Sequence, residues 1–470
     1  MKIVFINPPL FKALDPSLPT VLQEEEDPMP PLGLMYLAAY LEKNSPHEIK
    51  ILDCQAERLS LEQFKKRLAE EKPDVVGITT MTFTLLDVIG TVRLIKEINP
   101  KIKVVLGGPH VHIYPEETLK IKEVDYLVIG EGEKPLKALL ANLNDLKNLY
   151  KIRGIGFKDG PKLVVTGAEE LIEDLDELPF PARHLTPYQK YGSALAKRFP
   201  VTTMFTSRGC PYQCLFCDRP HLGKMFRARS AKNVVAEMEQ CQKMGIKEIF
   251  IYDDTFGVDR QRVLDICAGL KEKKVNLAWD IRTRVNTVDE EILKALKEAG
   301  CQRIHYGVEA GTQKILNVLR KGITLEMAVK AFRLTKKAGI QTLGYFMIGS
   351  PEETKEDILA TIKFAKKLNP DFVHFTITTP YPATDLYRLG LSKGILPFDY
   401  WRAFALNPTT NFNPPVWEEN LNKQELIKLL QQAYRSFYFR PVYLFTRIKE
   451  ISSLKEFIAK AGMAFKLLKI

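Results

Sequence analysis

The chain has 470 residues, 45% apolar and 27% charged, a composition that excludes disordered and fibrous classes and fits two or three globular domains. No stretch approaches the roughly 18 consecutive apolar residues of a membrane span, and no secretory signal pattern opens the chain, so a cytoplasmic location is expected. A formal net charge of +11 leaves nucleic acid, acidic substrates or an anionic surface open, while seven cysteines argue for free, metal-binding or catalytic thiols over a secreted disulfide framework.

In residues 1–145 short β-branched runs alternate with amphipathic stretches. Strands are predicted at Lys2–Asn7, Ile49–Asp53, Val75–Thr79, Lys103–Gly107 and Tyr126–Ile129, and helices at Leu32–Leu41, Leu61–Glu71 and Leu85–Ile98. This pattern predicts an α/β, Rossmann-like doubly wound domain, whose ligand crevice lies beyond the carboxyl ends of the strands. Residues 146–200, with Pro179, Pro181 and Pro187, read as a connector packed across two domains. A second βα series follows over 201–390, with strands predicted at Thr202–Thr206, Glu248–Tyr252, Asn276–Asp280, Arg303–Gly307, Gln341–Ile348 and Phe372–Thr378. Six such units make an open, partial (β/α)6 barrel of the TIM type.

The remainder, 391–470, is predicted helical, basic and aromatic. Residues 433–470 carry eight Lys/Arg against two Glu, or +6 of the net +11, interleaved with Phe437, Tyr438, Phe439, Tyr443, Phe445, Phe457 and Phe465. Aromatic residues at helical spacing suit a cap over the barrel. The same composition also suits a lid or a peripheral membrane contact. No RNA- or DNA-binding module accompanies the charge, so nucleic acid is not expected as a partner.

The strongest chemical signal is Arg208-Gly209-Cys210-Pro211-Tyr212-Gln213-Cys214-Leu215-Phe216-Cys217, directly after the first strand of the second series. Three thiolates within eight residues converge on one inorganic centre if the loop curls, and Gly209 and Pro211 suit that turn. His221 would complete a Cys3His zinc set, the alternative reading. Cys54, Cys241, Cys267 and Cys301 lie in apolar or helical contexts and read as buried, inert thiols. The spacing Cys-x3-Cys-x2-Cys, with Phe216 before the third cysteine, resembles the signature of radical S-adenosylmethionine enzymes. That resemblance implies a [4Fe–4S] cluster on Cys210, Cys214 and Cys217, its open iron binding S-adenosylmethionine, and reductive cleavage to a 5′-deoxyadenosyl radical. It also implies S-adenosylmethionine contacts at Asp253 and Asp254, at Arg282 or Arg284, and at Glu309 in Gly307-Val308-Glu309-Ala310-Gly311. Pro351, in Gly349-Ser350-Pro351-Glu352-Glu353-Thr354, is similar to the turn that flanks the adenine. Pro380-Tyr381-Pro382-Ala383-Thr384 departs from the family at Ala383, where glycine is usual.

A doubly wound domain ahead of this barrel resembles the cobalamin-binding branch of the superfamily, whose members include class B methyltransferases, and the likeness covers nearly the whole chain. Gly107-Gly108 is similar to the diglycine beneath the cobalamin tail, and Thr80-Met81-Thr82 stands where relatives carry Ser-x-Leu. Gly130-Glu131-Gly132-Glu133 is similar to the branch's Gly-Glu-Gly-Glu turn. The loop Pro8-Pro9-Leu10-Phe11-Lys12-Ala13 lacks the Asp-x-His-x-x-Gly histidine, which implies a lower cobalt face without that ligand; Met81, Thr82 or Phe83 are candidates to face it. His110 and His112 follow the fourth strand and read first as structural histidines, with cobalt ligation the lesser alternative. A nucleotide or flavin module competes for this domain, but no Gly-x-Gly-x-x-Gly or P-loop pattern follows the first strand. The resemblance implies methylation of an unactivated carbon of a small-molecule or lipid-like substrate, with a flavodoxin- or ferredoxin-type electron donor. Oxidative cyclisation, rearrangement or carbon–carbon bond formation without net methylation is the alternative within the family, and a cobalamin- or metal-binding sensor the alternative of another class.

Overall fold

A computed structural model of the chain describes residues 1–10, 28–193, 195–218, 225–441 and 443–445. The first domain is built on a seven-stranded sheet: β1 (Lys2–Asn7), β2 (Glu48–Asp53), β3 (Val75–Thr79), β4 (Lys103–Gly107), β5 (Tyr126–Val128), β6 (Ile155–Asp159) and β7 (Lys162–Val165). Their order is β2-β1-β3-β4-β5-β6-β7; the first five are parallel, and β6 and β7 join antiparallel. Strand alternation feeds two cores. Ile3 and Phe5 pack with Leu34, Met35 and Ala38 of the helix Leu32–Asn44, while Val4 and Ile6 pack on the opposite face with Phe64, Leu68, Val88 and Val92. Apolar runs buried on both faces are what a doubly wound parallel sheet demands.

The sheet runs past residue 145. The hairpin β6–β7, in the stretch expected to be a connector, turns at Asp159-Gly160, with Gly160 at φ +56°, and finishes the sheet edge. Its sequence alternates weakly because β7 is an edge strand with two exposed residues. The rest of the connector touches both domains. The Tyr191 hydroxyl donates to Asp53 Oδ2 (2.7 Å), and buried Arg183 donates to Thr202 Oγ1 and to the Thr203 carbonyl.

The second domain has six parallel strands in sequential order: β8 (Val201–Met204), β11 (Glu248–Ile251), β12 (Ala278–Thr283), β13 (Cys301–Glu309), β14 (Gln341–Ile348) and β15 (Phe372–Ile377). Between β8 and β11, the two-residue strands β9 (Ser207–Arg208) and β10 (Arg227–Ala228) pair antiparallel. The strand predicted at Asn276–Asp280 begins two residues later, because Lys274, at φ +51°, ends the preceding helix and reverses the chain.

An open barrel leaves β15 with an unpaired edge. The helix Lys423–Tyr438 covers it. The Tyr434 hydroxyl bonds both Phe375 N–H and its carbonyl, Tyr438 does the same at Val373, and the Tyr443 hydroxyl donates to the Asp371 carbonyl. Through Tyr443 the aromatic tail is therefore an edge cap, the usual protection of a sheet edge, whereas Phe445 is exposed. Residues 446–470, with Phe457 and Phe465, lie outside the described residues. Before this helix, Trp401 and Phe412 pack with Tyr381 against Phe83, and Arg402 bonds Glu117, so the barrel's tail reaches back to the first domain. Among the described residues no helix is long and apolar enough to cross a membrane.

Candidate active site

The cysteine loop leaves β9 through Gly209, at φ +81°, a conformation that suits glycine. Leu215 anchors its middle, donating its N–H to the Leu319 carbonyl and accepting at its own carbonyl from Leu386 N–H. Cys210 and Cys217 are partly exposed and Cys214 is buried; none of the three is in a disulfide. Two cations face the loop. Arg284 lies 3.5 Å from Cys214 Sγ, stacks on Tyr212 (3.9 Å) and bonds the Lys321 carbonyl, and Lys321 Nζ sits 5.7 Å from the Phe216 ring centre.

The predicted S-adenosylmethionine contacts divide. Glu309, at φ +74°, pairs with Lys321 (2.6 Å) beside the loop. A β-carbon on Gly307 would strike that pair, which explains the glycine two positions before the glutamate. Asp253 was expected at the mouth, but it is buried and accepts from the backbone N–H and hydroxyl of both Thr206 and Ser207. It fixes the exit of β8 and has no face left for a ligand. Asp254 and Tyr252 instead open to the mouth. Of the two arginines, Arg284 reaches the cysteine loop, whereas Arg282 stacks on Tyr252 (3.8 Å) and donates to the Ile251 carbonyl. Pro351 is buried in its turn; there Glu353 accepts from Ser350 N–H, and burial pushes its carboxyl up to about 7. Ala383 adopts φ +64°, a physical reason for glycine at that place in relatives.

Between the domains lies a cavity of ≈ 310 Å³, bounded by the carboxyl edge of β3, β4 and β5 on one side and by Phe205, Ser207, Arg208, Tyr252 and Asp254 on the other. Gly107, Gly108, Gly130, Glu131 and Gly132 line it. The glycines serve different ends. A β-carbon on Gly108 would clash with Thr79 and Thr80, whereas one on Gly130 or on Gly33 would meet nothing within 4 Å. Thr80, Met81 and Thr82 do not line the cavity: Thr80 and Thr82 are buried and Met81 points outward. His110 is fully buried with Nδ1 3.1 Å from Thr82 Oγ1, and burial lowers its ring to about 4, so it is a neutral core residue; His112 lines the cavity instead.

The comparisons with known proteins agree on both halves. Residues 20–140 match the B12 binding domain model, and residues 204–365 match the radical SAM superfamily model. An uncharacterized methyltransferase of Pyrococcus horikoshii is 37% identical over 98% of this chain and 97% of its own length. The chain belongs to the cobalamin-binding radical S-adenosylmethionine family. An anaerobic magnesium-protoporphyrin IX monomethyl ester cyclase of Rubrivivax gelatinosus is 31% identical over 90% of this chain and 76% of its own. The solved structure of OxsB, a cobalamin-dependent S-adenosylmethionine radical enzyme with aqua-cobalamin and S-adenosylmethionine bound, shares the fold, with TM-score 0.74 and 19% identity over 99% of this chain and 70% of that one.

The chain is therefore a radical S-adenosylmethionine enzyme, and the sensor alternative falls. The family's cofactors are a [4Fe–4S] cluster, S-adenosylmethionine and cobalamin, and the residues present fit them. Three thiols outside any disulfide, with the Arg284 guanidinium against Cys214, suit an anionic cluster in which each thiolate would take a different iron. His221, the fourth ligand of the zinc alternative, lies outside the described residues. The empty faces of Gly33 and Gly130 form a cradle that side chains would fill.

What sequence reasoning missed is how the family's Gly-Glu-Gly-Glu turn is used here. Glu131 is bonded by Arg227 (2.8 and 3.0 Å) and Arg208 (3.1 Å) and accepts from Ile172 N–H; Glu133 pairs with Arg208 (2.5 Å). Burial raises the Glu131 carboxyl, but these arginines outweigh it and hold it below the ordinary carboxylate range. Arg208 stands two residues before Cys210, so the turn ties the cobalamin-type domain to the root of the cysteine loop.

Proposed function

We propose that the enzyme transfers a methyl group from S-adenosylmethionine to an unactivated carbon of a small-molecule or lipid-like substrate. The observation that carries this reading is the shared cavity, to which the glycine-lined sheet edge and the barrel mouth both contribute walls. Cofactors at carboxyl strand ends of two α/β units meet only if the units dock edge to edge. When bound, the cluster supplies one electron for reductive cleavage of S-adenosylmethionine, and cobalamin carries the methyl group. Cys210, Cys214 and Cys217 hold the cluster, with Arg284 offsetting its charge. Glu309, Asp254 and the Pro351 turn orient S-adenosylmethionine. Gly33, Gly107 and Gly130 admit cobalamin by exposing backbone. The electron donor is an external flavodoxin- or ferredoxin-type protein.

The cyclase relative favours a second reading, radical chemistry on the same cofactors without net methylation. Reconstituted enzyme given methyl-labelled S-adenosylmethionine and fractionated small-molecule and lipid extracts separates the two. Label in a new product, with 5′-deoxyadenosine formed alongside, is the expected result; 5′-deoxyadenosine without transferred label would favour the cyclase reading.

A further inference from the structure

The inside of the barrel is polar where small barrels are usually packed with aliphatic side chains. Along β12 to β15 alternate residues divide cleanly. Trp279, Ile281, Ile304, Tyr306, Phe346 and Phe375 join the apolar core beneath the outer helices, which turns Asp280, Arg282, His305, Tyr345 and His374 inward. The amino end of this lumen is closed: Glu248 accepts from the N–H groups of Lys197 and Arg198, and Arg303 donates to the Leu195 carbonyl. Its carboxyl end, the mouth, faces the interdomain cavity, to which Tyr252 and Asp254 contribute.

A continuous line of polar groups runs down from that mouth. Tyr252 lines the interdomain cavity, Arg282 stacks on it, and Tyr345 lies beside Arg282. The Tyr345 hydroxyl is 3.0 Å from His305 Nδ1, and His305 Nε2 is 3.1 Å from Asp280 Oδ2. Asp280 also receives Arg303 (3.3 Å), and its Oδ1 has no hydrogen-bond partner among the described residues. A carboxylate only accepts, so Nε2 carries the imidazole proton and Nδ1 accepts from the Tyr345 hydroxyl. Asp280 and His305 are each 1–2% exposed, whereas Tyr345 is half-buried and faces the lumen. Burial lowers the His305 ring, which keeps the imidazole neutral and able to accept, so Tyr345, His305 and Asp280 form a continuous donor–acceptor line.

We propose that Tyr345, His305 and Asp280 form a proton relay in the barrel lumen that accepts a proton from an O–H or N–H group of the substrate, with Arg282 holding the resulting anion. The substrate proton passes to the Tyr345 oxygen as the phenolic proton passes to His305 Nδ1. The electron pair stays on the substrate heteroatom, Asp280 faces the imidazolium, and Arg282 faces the anion, so charge balances without an added reactant. Deprotonation beside a carbon weakens its C–H bond, which links the relay to the proposed reaction. The inference deepens that reading and takes from it only that a substrate enters the lumen: the substrate class is one with an ionisable hydroxyl or amine.

The probe is 3-fluoro-4-nitrophenol, a weak acid whose 19F shift reports its ionisation, added to anaerobically reconstituted holoenzyme. In the wild type the bound probe ionises one pH unit or more below the free compound, about a tenfold shift in its equilibrium. Tyr345→Phe and His305→Gln bind the probe without that shift. Tyr345→Phe removes one oxygen from a half-buried site, so it decides the matter if His305→Gln fails to fold by circular dichroism. A wild type that leaves the probe unbound or protonated, or a Tyr345→Phe variant that ionises it equally, overturns the relay. 5′-Deoxyadenosine, measured in parallel reduced samples without the probe, reads the radical reaction separately, so loss of one result does not imply loss of the other.

Discussion

At the edge of the N-terminal sheet, Gly33 and Gly130 present no side chain to the cavity, whereas at the barrel mouth Arg208 and Arg284 are committed to named partners. One wall leaves room, the other carries fixed charge. The difference suits what each is proposed to hold. A large, preformed macrocycle needs contact area and exposed backbone, while an inorganic cluster and a zwitterionic cosubstrate need charges fixed before they arrive. Glu131 and Glu133 stand where the walls meet: they lie on the bare side by sequence and serve the charged side by contact.

Substitutions on each wall should fail differently. The largest effect is expected on the charged wall, where Cys217→Ala takes 5′-deoxyadenosine formation to background while cobalamin is retained, read by product analysis and the visible spectrum. Next is the seam. Arg208→Met leaves Glu133 buried without its partner and costs about 3 kcal/mol, read as a lower denaturant midpoint. Gly33→Leu, on the bare wall, should weaken cobalamin retention about tenfold, or ~1.4 kcal/mol, with the thermal midpoint little changed, because the helix there tolerates a side chain and only the cavity is filled. If Gly33→Leu instead lost iron and kept cobalamin, the division of labour between the walls would be wrong.

The smallest effect concerns His110. Burial lowers its ring from the ordinary 6.5 to about 4, so the unfolded chain takes up a proton first as pH falls. Stability that the neutral ring contributes above pH 6.5 is lost between 6.5 and 4. His110→Gln should flatten that part of the stability–pH curve and leave cobalt binding unchanged. A change in the cobalamin spectrum would restore His110 to the site.

The parallel strands were legible because a strand buried on both faces is a β-branched run, as in Val75–Thr79, and the cysteine loop because its spacing is short and local. The β6–β7 hairpin was not, since an edge strand such as Lys162–Val165 alternates weakly, although Asp159-Gly160 is a turn signal. Asp253 and Asp254 are adjacent and alike in sequence, yet one is consumed by Thr206 and Ser207 and the other opens to the mouth; only the course of the loop after β11 distinguishes them. The Glu133–Arg208 pair joins residues 75 apart, and the Asp280–His305–Tyr345 line joins three strands, so neither leaves a local pattern.

The most direct test of two cofactors on two walls is metal analysis after anaerobic reconstitution of the wild type and Cys214→Ala. The account predicts about four irons and one cobalt per wild-type chain, and loss of iron with retention of cobalt in Cys214→Ala. Zinc without iron in the wild type, or cobalt lost together with iron in the variant, would contradict it.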